Sequence, residues 1–190
     1  MPSEATAGDL FARRDPSSTA QPLRRRPRAA LPFDPSAVGT GDPILLDTTV
    51  YIDALQGGLP LPMQALVASR VVLHGAVAVA EMVLSAAYLR PDHPSTPRNR
   101  LAIAATLDRI PISQVLPPSS TAWIEASLLA GTVARAQARD AADRRALLND
   151  ALLLLGAEEA GAVLVSRNIA DIDLLLQLRP TARALLYDRG

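Results

Sequence analysis

Short apolar runs alternate with longer segments of helical periodicity from residue 43 onward. The apolar runs do not alternate with polar residues, which is typical of strands buried on both faces of a parallel sheet. The pattern predicts strands at 44–46, 71–73, 112–116, 162–165 and 184–187. It predicts a helix capped by Thr49 and further helices at 61–69, 77–88, 101–109, 121–139, 147–160 and 172–178. This order of elements predicts an α/β fold with a central, mostly parallel sheet flanked by helices.

Residues 1–42 show no sustained apolar period. They contain six of the 16 prolines, and such a segment buries too little apolar surface to fold alone. We therefore expect a disordered, Pro- and Arg-rich tail at 1–42 and one domain at 43–190. The arginine cluster at 24–28 could contact nucleic acid or a partner. We favour the simpler interpretation that it is a solvated tail, or that the start codon is annotated too far upstream.

The basic residues change the range of possible chemistry, because all 19 of them are arginines. Without lysine the chain has neither a P-loop lysine nor a Schiff-base amine. Without cysteine it has no thiol nucleophile, disulfide or cysteine-bound zinc. The two histidines lie in dissimilar contexts. We expect His74 to be a packing or hydrogen-bonding residue and His93 to lie in a solvated loop. Catalysis would therefore depend on carboxylates, hydroxyls and arginines.

A membrane-spanning helix needs about 20 apolar residues, and no apolar run in the sequence is that long. The N-terminus also lacks the apolar core of a secretory signal. These two features predict a cytoplasmic protein without a membrane anchor.

Four acids follow strands or open helices where the carboxyl edge of the sheet is expected: Asp47, Glu81, Asp150 and Asp171. Ligands of open parallel sheets bind at this edge. Four carboxylates gathered there would repel each other unless a hard divalent cation lay among them, and carboxylates are the ligands that Mg²⁺ and Mn²⁺ prefer. Such a cation can orient a phosphodiester and activate water.

Each acid also has a structural interpretation. Asp47 could cap a helix, and either Asp171 or Asn168 could cap the helix at 172–178. Glu81 could face solvent. Asp150 is harder to explain in this way, because five apolar residues follow it and an unpaired buried charge is costly. Asp53 and Asp173 are interpreted as surface positions. Trp123 is expected in a core or a dimer face.

Four segments resemble PIN-domain nucleases, in particular the VapC-type toxins of toxin–antitoxin pairs. Residues 44–52 are similar to the family's first strand with its Asp-Thr/Ser motif, and 79–82 to its second-acid segment. Residues 149–153 resemble the third-acid helix. Residues 164–172 resemble the last strand, a Thr/Ser-Arg-Asn turn and the closing aspartate. The resemblance covers about residues 43–188 in family order. The tail and the long connector 90–99 depart from the compact family pattern.

The resemblance implies a three-layer PIN-like sandwich and an endoribonuclease that depends on Mg²⁺ or Mn²⁺. Its site residues would be the four acids, with Asp47, Asp150 and Asp171 as metal ligands. Thr49 and Asn168 would support them, and Arg167 and Arg145 would contact RNA or a partner. The resemblance also implies a homodimer and a cognate antitoxin that inserts residues, often an arginine, into the acidic pocket.

Two other hypotheses stay open at this stage. The chain could be a nucleic-acid-binding or regulatory module that keeps the fold without catalysis. It could also be a phosphate-transfer enzyme of the haloacid-dehalogenase type, because Asp47 precedes two threonines. That hypothesis is weak, because Thr49 stands where the second aspartate is expected and the required lysine does not exist.

Overall fold

Five strands form one sheet in the computed structural model, which describes residues 6–13 and 23–189. The sheet has the order β3–β2–β1–β4–β5, and every strand pair is parallel. The strands are β1 (Ile44–Leu46), β2 (Val72–Gly75), β3 (Val115–Leu116), β4 (Val163–Ser166) and β5 (Ala184–Leu186). The helices are α1 (Ala7–Arg13), α2 (Thr48–Leu55), α3 (Leu61–Ser69), α4 (Ala76–Ala87), α5 (Thr96–Leu107), α6 (Ser120–Ala136), α7 (Ala141–Glu159) and α8 (Ile169–Leu178). The predicted α/β sandwich with a central parallel sheet is confirmed.

The ends of several elements differ from their predicted positions, for local reasons. The strand predicted at 112–116 shortens to β3, because Ile112–Gln114 forms a 3₁₀ turn. The helix predicted at 101–109 starts earlier, at Thr96, with Pro97 in its first turn, where the missing N–H costs no helical bond. The helix predicted at 121–139 ends at Ala136. The helix predicted at 147–160 begins at Ala141, capped by the Asp140 side chain.

Strand β1 lies at the centre of the sheet, and all three of its side chains are buried. The buried leucines of α7, residues 152–155, contribute to the same core. Gly75, at the end of β2, faces this packing. A Cβ on it would lie 2.8 Å from the Leu153 side chain. The glycine therefore lets α7 approach the sheet closely, and α7 carries Asp150.

Residues 23–42, within the predicted tail, lie along the domain. The Leu186 N–H donates to the Pro32 carbonyl at 2.7 Å, and Val38 is part of the core. The Arg26 side chain and N–H both bind Asp173, at 2.6 and 2.8 Å. Asp173 is only 1% exposed, so its prediction as a surface position is wrong. The predicted tail's residues 1–5 and 14–22 lie outside the described residues.

Within the described part of the chain, α1 packs against α6. None of the described helices is long and apolar enough to cross a membrane. The carboxyl ends of β2, β1 and β4 lie side by side, because these three strands are neighbours in the parallel sheet. This edge of the sheet holds the candidate site.

Candidate active site

Asp47 follows β1 directly and is 3% exposed. Its N–H continues the pairing of β1 with β4 by donating to the Val165 carbonyl at 3.0 Å. Its Oδ2 accepts hydrogen bonds from the hydroxyls of Thr49, at 2.7 Å, and Ser166, at 2.6 Å. Asp47 occupies the N-cap position of α2, but its side chain makes no capping bond. Its carboxylate is therefore held by side-chain hydroxyls at the sheet edge.

Both hydroxyls are themselves oriented by the β4–α8 turn. The Arg167 N–H donates to Thr49 Oγ1 at 3.0 Å, and the Asn168 N–H donates to Ser166 Oγ at 2.9 Å. A hydroxyl that accepts a bond from a backbone N–H points its own hydrogen elsewhere, here toward Asp47. The predicted supporting role of Thr49 thus has a geometric basis. Ser166, completely buried, is a supporting residue that the sequence analysis did not single out.

Asn168 links two further acids. Its Nδ2 donates to Asp150 Oδ2 at 2.8 Å and to Asp171 Oδ2 at 3.3 Å. Its Oδ1 accepts the Asp171 N–H at 3.4 Å, so the same side chain caps α8. One asparagine therefore sets the spacing between an acid on α7 and an acid on α8.

Glu81 lies on α4 and is half-buried. It accepts hydrogen bonds from the Thr48 hydroxyl and, at 2.7 Å on Oε1, from Asn149 Nδ2. Thr48 and Asn149 each stand next in sequence to an acid of the group, Asp47 and Asp150. The predicted second acid thus binds the sequence neighbours of the first and third acids.

The charges of these acids act on one another. Burial raises the pKa of Asp47, and the Ser166 and Thr49 hydroxyls offset part of that effect. Burial raises the pKa of Asp150 well above its usual value, and the negative charges of Asp47 and Asp171 raise it further. Asp150 is 9% exposed. The site therefore favours either a proton on Asp150 or a cation close to it.

Arg139 directly contacts one of the four acids. Its Nη2 lies 2.6 Å from Asp171 Oδ1. The residue follows the end of α6, where Ala138 has a left-handed φ of 50°. The N–H groups of Ala138 and Arg139 return to the carbonyls of Arg135 and Ala134, the pattern of a Schellman turn. Sequence reasoning missed Arg139 because it extended the preceding helix through it; Asp140, a helix-capping residue directly afterwards, was the available signal.

The two arginines predicted to contact RNA or a partner have different surroundings. Arg167 Nε donates to Asp53 Oδ2 at 2.8 Å, so its guanidinium is paired with Asp53. Asp53 also binds Arg189 and the Tyr187 hydroxyl. It is 0% exposed, so its prediction as a surface position is wrong. Arg145 lies exposed on α7.

The acids fit a hard divalent cation by charge and by ligand type, because all four are carboxylates and they repel one another. Within residues 6–13 and 23–189, however, no three histidine, aspartate or glutamate side chains are arranged to hold one ion together. In line with this, both oxygens of Asp171 already accept hydrogen bonds, from Arg139 and Asn168. Binding of a cation by three of these acids therefore requires side chains to exchange partners.

The fold resembles the solved structures of VapBC toxin–antitoxin systems. VapBC2 of Rickettsia felis, bound to a promoter DNA fragment, is 15% identical, with 77% of this chain and 99% of that chain covered and a TM-score of 0.51. DNA-bound VapBC of Salmonella typhimurium is 19% identical, with 77% of this chain and 98% of that chain covered and a TM-score of 0.52. VapBC-5 of Mycobacterium tuberculosis is 16% identical, with 77% of this chain and 99% of that chain covered and a TM-score of 0.50. The predicted resemblance to VapC-type PIN domains is thus confirmed at the level of the fold.

Comparison of the sequence with protein-family models and with curated proteins gives no match. The likeness is one of three-dimensional structure, and it coincides with the four motifs found in the sequence.

Proposed function

We propose that this protein is an endoribonuclease that depends on Mg²⁺ or Mn²⁺ and acts as the toxin of a toxin–antitoxin pair. The observation that carries the proposal is the group of four acids, Asp47, Glu81, Asp150 and Asp171. At the carboxyl edge of a VapC-like fold, Asn168 donates to both Asp150 and Asp171, and its N–H binds the Ser166 hydroxyl that donates to Asp47. Glu81 accepts from Thr48 and Asn149, the sequence neighbours of Asp47 and Asp150. Ligands of parallel α/β sheets bind at this edge.

The position of each residue indicates its proposed role. Asp47, Asp150 and Asp171 would hold the metal, and Glu81 would complete the acidic pocket. The bound metal would supply Lewis-acid stabilisation of the phosphodiester and a water of lowered pKa. Thr49 and Ser166 keep Asp47 oriented, and Asn168 fixes Asp150 against α8. Such supporting donors are typically worth 10- to 100-fold in metal affinity or activity, roughly.

Contacts to the substrate would come from arginine, because the chain has no lysine. Arginine binds phosphate groups through two parallel N–H donors. Arg145 is exposed on the helix that carries Asp150 and is our candidate for such a contact. The guanidinium of Arg167 is bound to Asp53, and its backbone N–H supports Thr49 instead.

A cognate antitoxin and a second copy of the chain are the proposed protein partners. Large apolar side chains are exposed on α4 and α5, which supports a protein-binding surface there. They are Val83, Leu84 and Leu101. An antitoxin arginine would be attracted to the acidic pocket, where burial and mutual repulsion disfavour the carboxylate charges. Both an RNA substrate and such a partner would place the protein in the cytoplasm.

RNA cleavage tests the enzymatic part of the proposal. Purified protein is incubated with a mixed-sequence single-stranded RNA in Mg²⁺, in Mn²⁺ and in EDTA. We expect cleavage only with metal, and a loss of at least about 100-fold in Asp47→Asn and Asp150→Asn. Asp108→Asn, at an exposed position, and Asp173→Asn, at a buried position outside the site, are the controls.

The outcomes separate the enzyme from the binding module. Equal cleavage by the parent protein, Asp47→Asn and Asp150→Asn would show that the site assignment is wrong. RNA binding without cleavage in either metal would favour the non-catalytic module. The toxin role is tested in cells: induced expression should arrest growth, and Asp150→Asn should not. Where a small gene adjoins this one, its co-expression should relieve the arrest.

A further inference from the structure

The Arg139 side chain is partly buried and contacts one of the four acids, Asp171. This side chain is 21% exposed, and that of Asp171 is 15% exposed. Its second nitrogen, Nη1, lies 3.6 Å from Asp143 on the first turn of α7. The Schellman turn at Ala138 directs the chain so that this side chain reaches α8. The guanidinium is thus inserted between α7 and α8, beside the acidic group.

The contact occupies an acid that the proposed function requires. Asp171 Oδ1 accepts from Arg139, and Oδ2 accepts from Asn168. Each oxygen keeps a second lone pair, but the neighbouring positive charge of Arg139 repels a divalent cation. The protein described here therefore holds Asp171 in a state that opposes metal binding, which agrees with the lack of a three-ligand group among the described residues.

We propose that Arg139 is an exchangeable substrate-binding residue: it pairs with Asp171 in the free protein and transfers to an RNA phosphate when Asp171 joins the metal ligands. This inference rests on the proposed nuclease function. It names a residue for the substrate that the sequence motifs do not include. It also predicts that metal and RNA bind cooperatively.

The exchange is chemically balanced. Asp47, Asp150 and Asp171 would hold a divalent cation, which would replace the guanidinium as their counter-charge and would repel it. A phosphodiester arriving at the cation brings a new anion, and a guanidinium binds phosphate with the same fork of N–H donors that binds a carboxylate. Arg139 therefore loses one anionic partner and gains another. Coupling of this kind is typically worth about 5- to 150-fold in affinity.

The test measures binding rather than turnover. The full chain is titrated with Mn²⁺ in the absence of RNA, and free Mn²⁺ is counted by electron paramagnetic resonance. Separately, a fluorescein-labelled single-stranded RNA with phosphorothioate linkages, which slow its cleavage, is titrated in saturating Mn²⁺ and again in EDTA, and binding is followed by anisotropy. The variants are Arg139→Gln, Arg139→Lys and the control Arg183→Gln. Arg183 forms a similar pair with Asp42 at the amino end of β5, away from the acids.

We expect Arg139→Gln to bind Mn²⁺ at least about fivefold more tightly than the parent. In Mn²⁺ it should bind RNA at least about fivefold more weakly than the parent, and in EDTA the two RNA affinities should be similar. Arg139→Lys should recover most of the RNA affinity, and Arg183→Gln should change neither value. Melting temperatures establish that each variant is folded.

Two results would overturn the exchange while leaving the nuclease proposal intact. One is equal Mn²⁺ affinity in the parent and Arg139→Gln, together with RNA cleavage by the parent. The other is tighter Mn²⁺ binding with unchanged RNA affinity in Mn²⁺, which would make Arg139 a competitor for the metal site without a role toward substrate. If the parent and Arg139→Gln both fail to bind Mn²⁺ and to cleave RNA, the exchange and the proposed function fail together.

Discussion

The Ser166 hydroxyl donates a 2.6 Å hydrogen bond to Asp47 Oδ2, joining the ends of two neighbouring parallel strands. The same carboxylate oxygen accepts a bond from Thr49, at the start of α2. Two hydroxyls on one oxygen fix the direction in which the rest of the carboxylate faces. A carboxylate oriented in advance does not have to be ordered when a ligand binds.

Ser166→Ala should therefore reduce metal-dependent cleavage by roughly 10- to 100-fold while the protein stays folded. The change removes one donor from Asp47 and leaves the Thr49 bond in place. Cleavage rates in Mg²⁺ and the Kd for Mn²⁺ are the measurements. Ser127→Ala removes an exposed hydroxyl on α6 and is the control. Parental cleavage and Mn²⁺ binding by Ser166→Ala would contradict a positioning role.

Asp150→Asn should make the metal-free protein more stable at neutral pH while it abolishes cleavage. The ionised carboxylate is penalised by burial and by the charges of Asp47 and Asp171. Asparagine removes the charge, and its Oδ1 can still accept the Asn168 amide bond. Thermal unfolding in EDTA at pH 7.5 measures the effect, where each 1 kcal/mol corresponds to about 2–4 °C for a chain of this size. A lower melting temperature than the parent's would show that Asp150 is not penalised in the folded state.

The pH dependence of this difference has a definite sign. The folded pKa of Asp150 is raised, so the folded state binds the proton more tightly than the unfolded state does. The parent protein therefore loses stability as pH rises from the unfolded pKa, about 3.9, toward the folded one. The gap between Asp150→Asn and the parent should be small near pH 4 and widen toward neutral pH. Saturating Mn²⁺ should narrow it, by stabilising the parent only.

The fold could be predicted from the sequence because its buried strands are continuous apolar runs bounded by charges or glycine. The positions of the acids followed from one rule, that residues just beyond parallel strands meet at one edge. Asp47 after β1 and Asp171 after β4 are the clearest cases. The periodicity of the apolar residues therefore predicts the strands, and the position of each acid relative to a strand predicts the edge where it lies.

The partners of the side chains could not be predicted in the same way. Asp53 and Asp173 have the spacing of surface residues, yet each is buried by arginines from distant parts of the chain. Arg189 and Arg26 come from the two ends of the described chain, and no local pattern indicates where they dock. The same holds for Arg139, whose direction depends on one left-handed residue.

Ala138→Gly should stabilise the protein by about 0.5–1 kcal/mol. Ala138 has a φ of 50°, a conformation that costs a residue with a Cβ roughly 1–2 kcal/mol. Glycine removes that cost but increases the entropy of the unfolded chain by about 0.4–1 kcal/mol, so the net gain is smaller. The control is Ala105→Gly, on the exposed face of α5, where glycine should destabilise by about 1 kcal/mol. Urea unfolding measures both, and destabilisation by Ala138→Gly would mean that the turn is not left-handed in solution.

Asp53→Asn should destabilise the protein by about 2–3 kcal/mol, because it leaves Arg167 and Arg189 without their shared anion. The loss is smaller than that of a fully buried pair, since both arginines are partly hydrated.

Burial alone would raise the pKa of Asp53, but the bonds from Arg189, Tyr187 and Arg167 hold this pKa below its usual value. A lowered folded pKa gives stability that is present above the unfolded pKa, about 3.9, and is lost as pH falls through the folded one. The gap between the parent and Asp53→Asn should therefore be widest at neutral pH and close on acidification, opposite in sign to the Asp150→Asn effect. Asp42→Asn, which breaks the more exposed pair with Arg183, should change the unfolding free energy little. Urea unfolding from pH 3 to 7.5 measures these differences, and an Asp53→Asn protein as stable as the parent at pH 7.5 would exclude the ion-pair network as a source of stability.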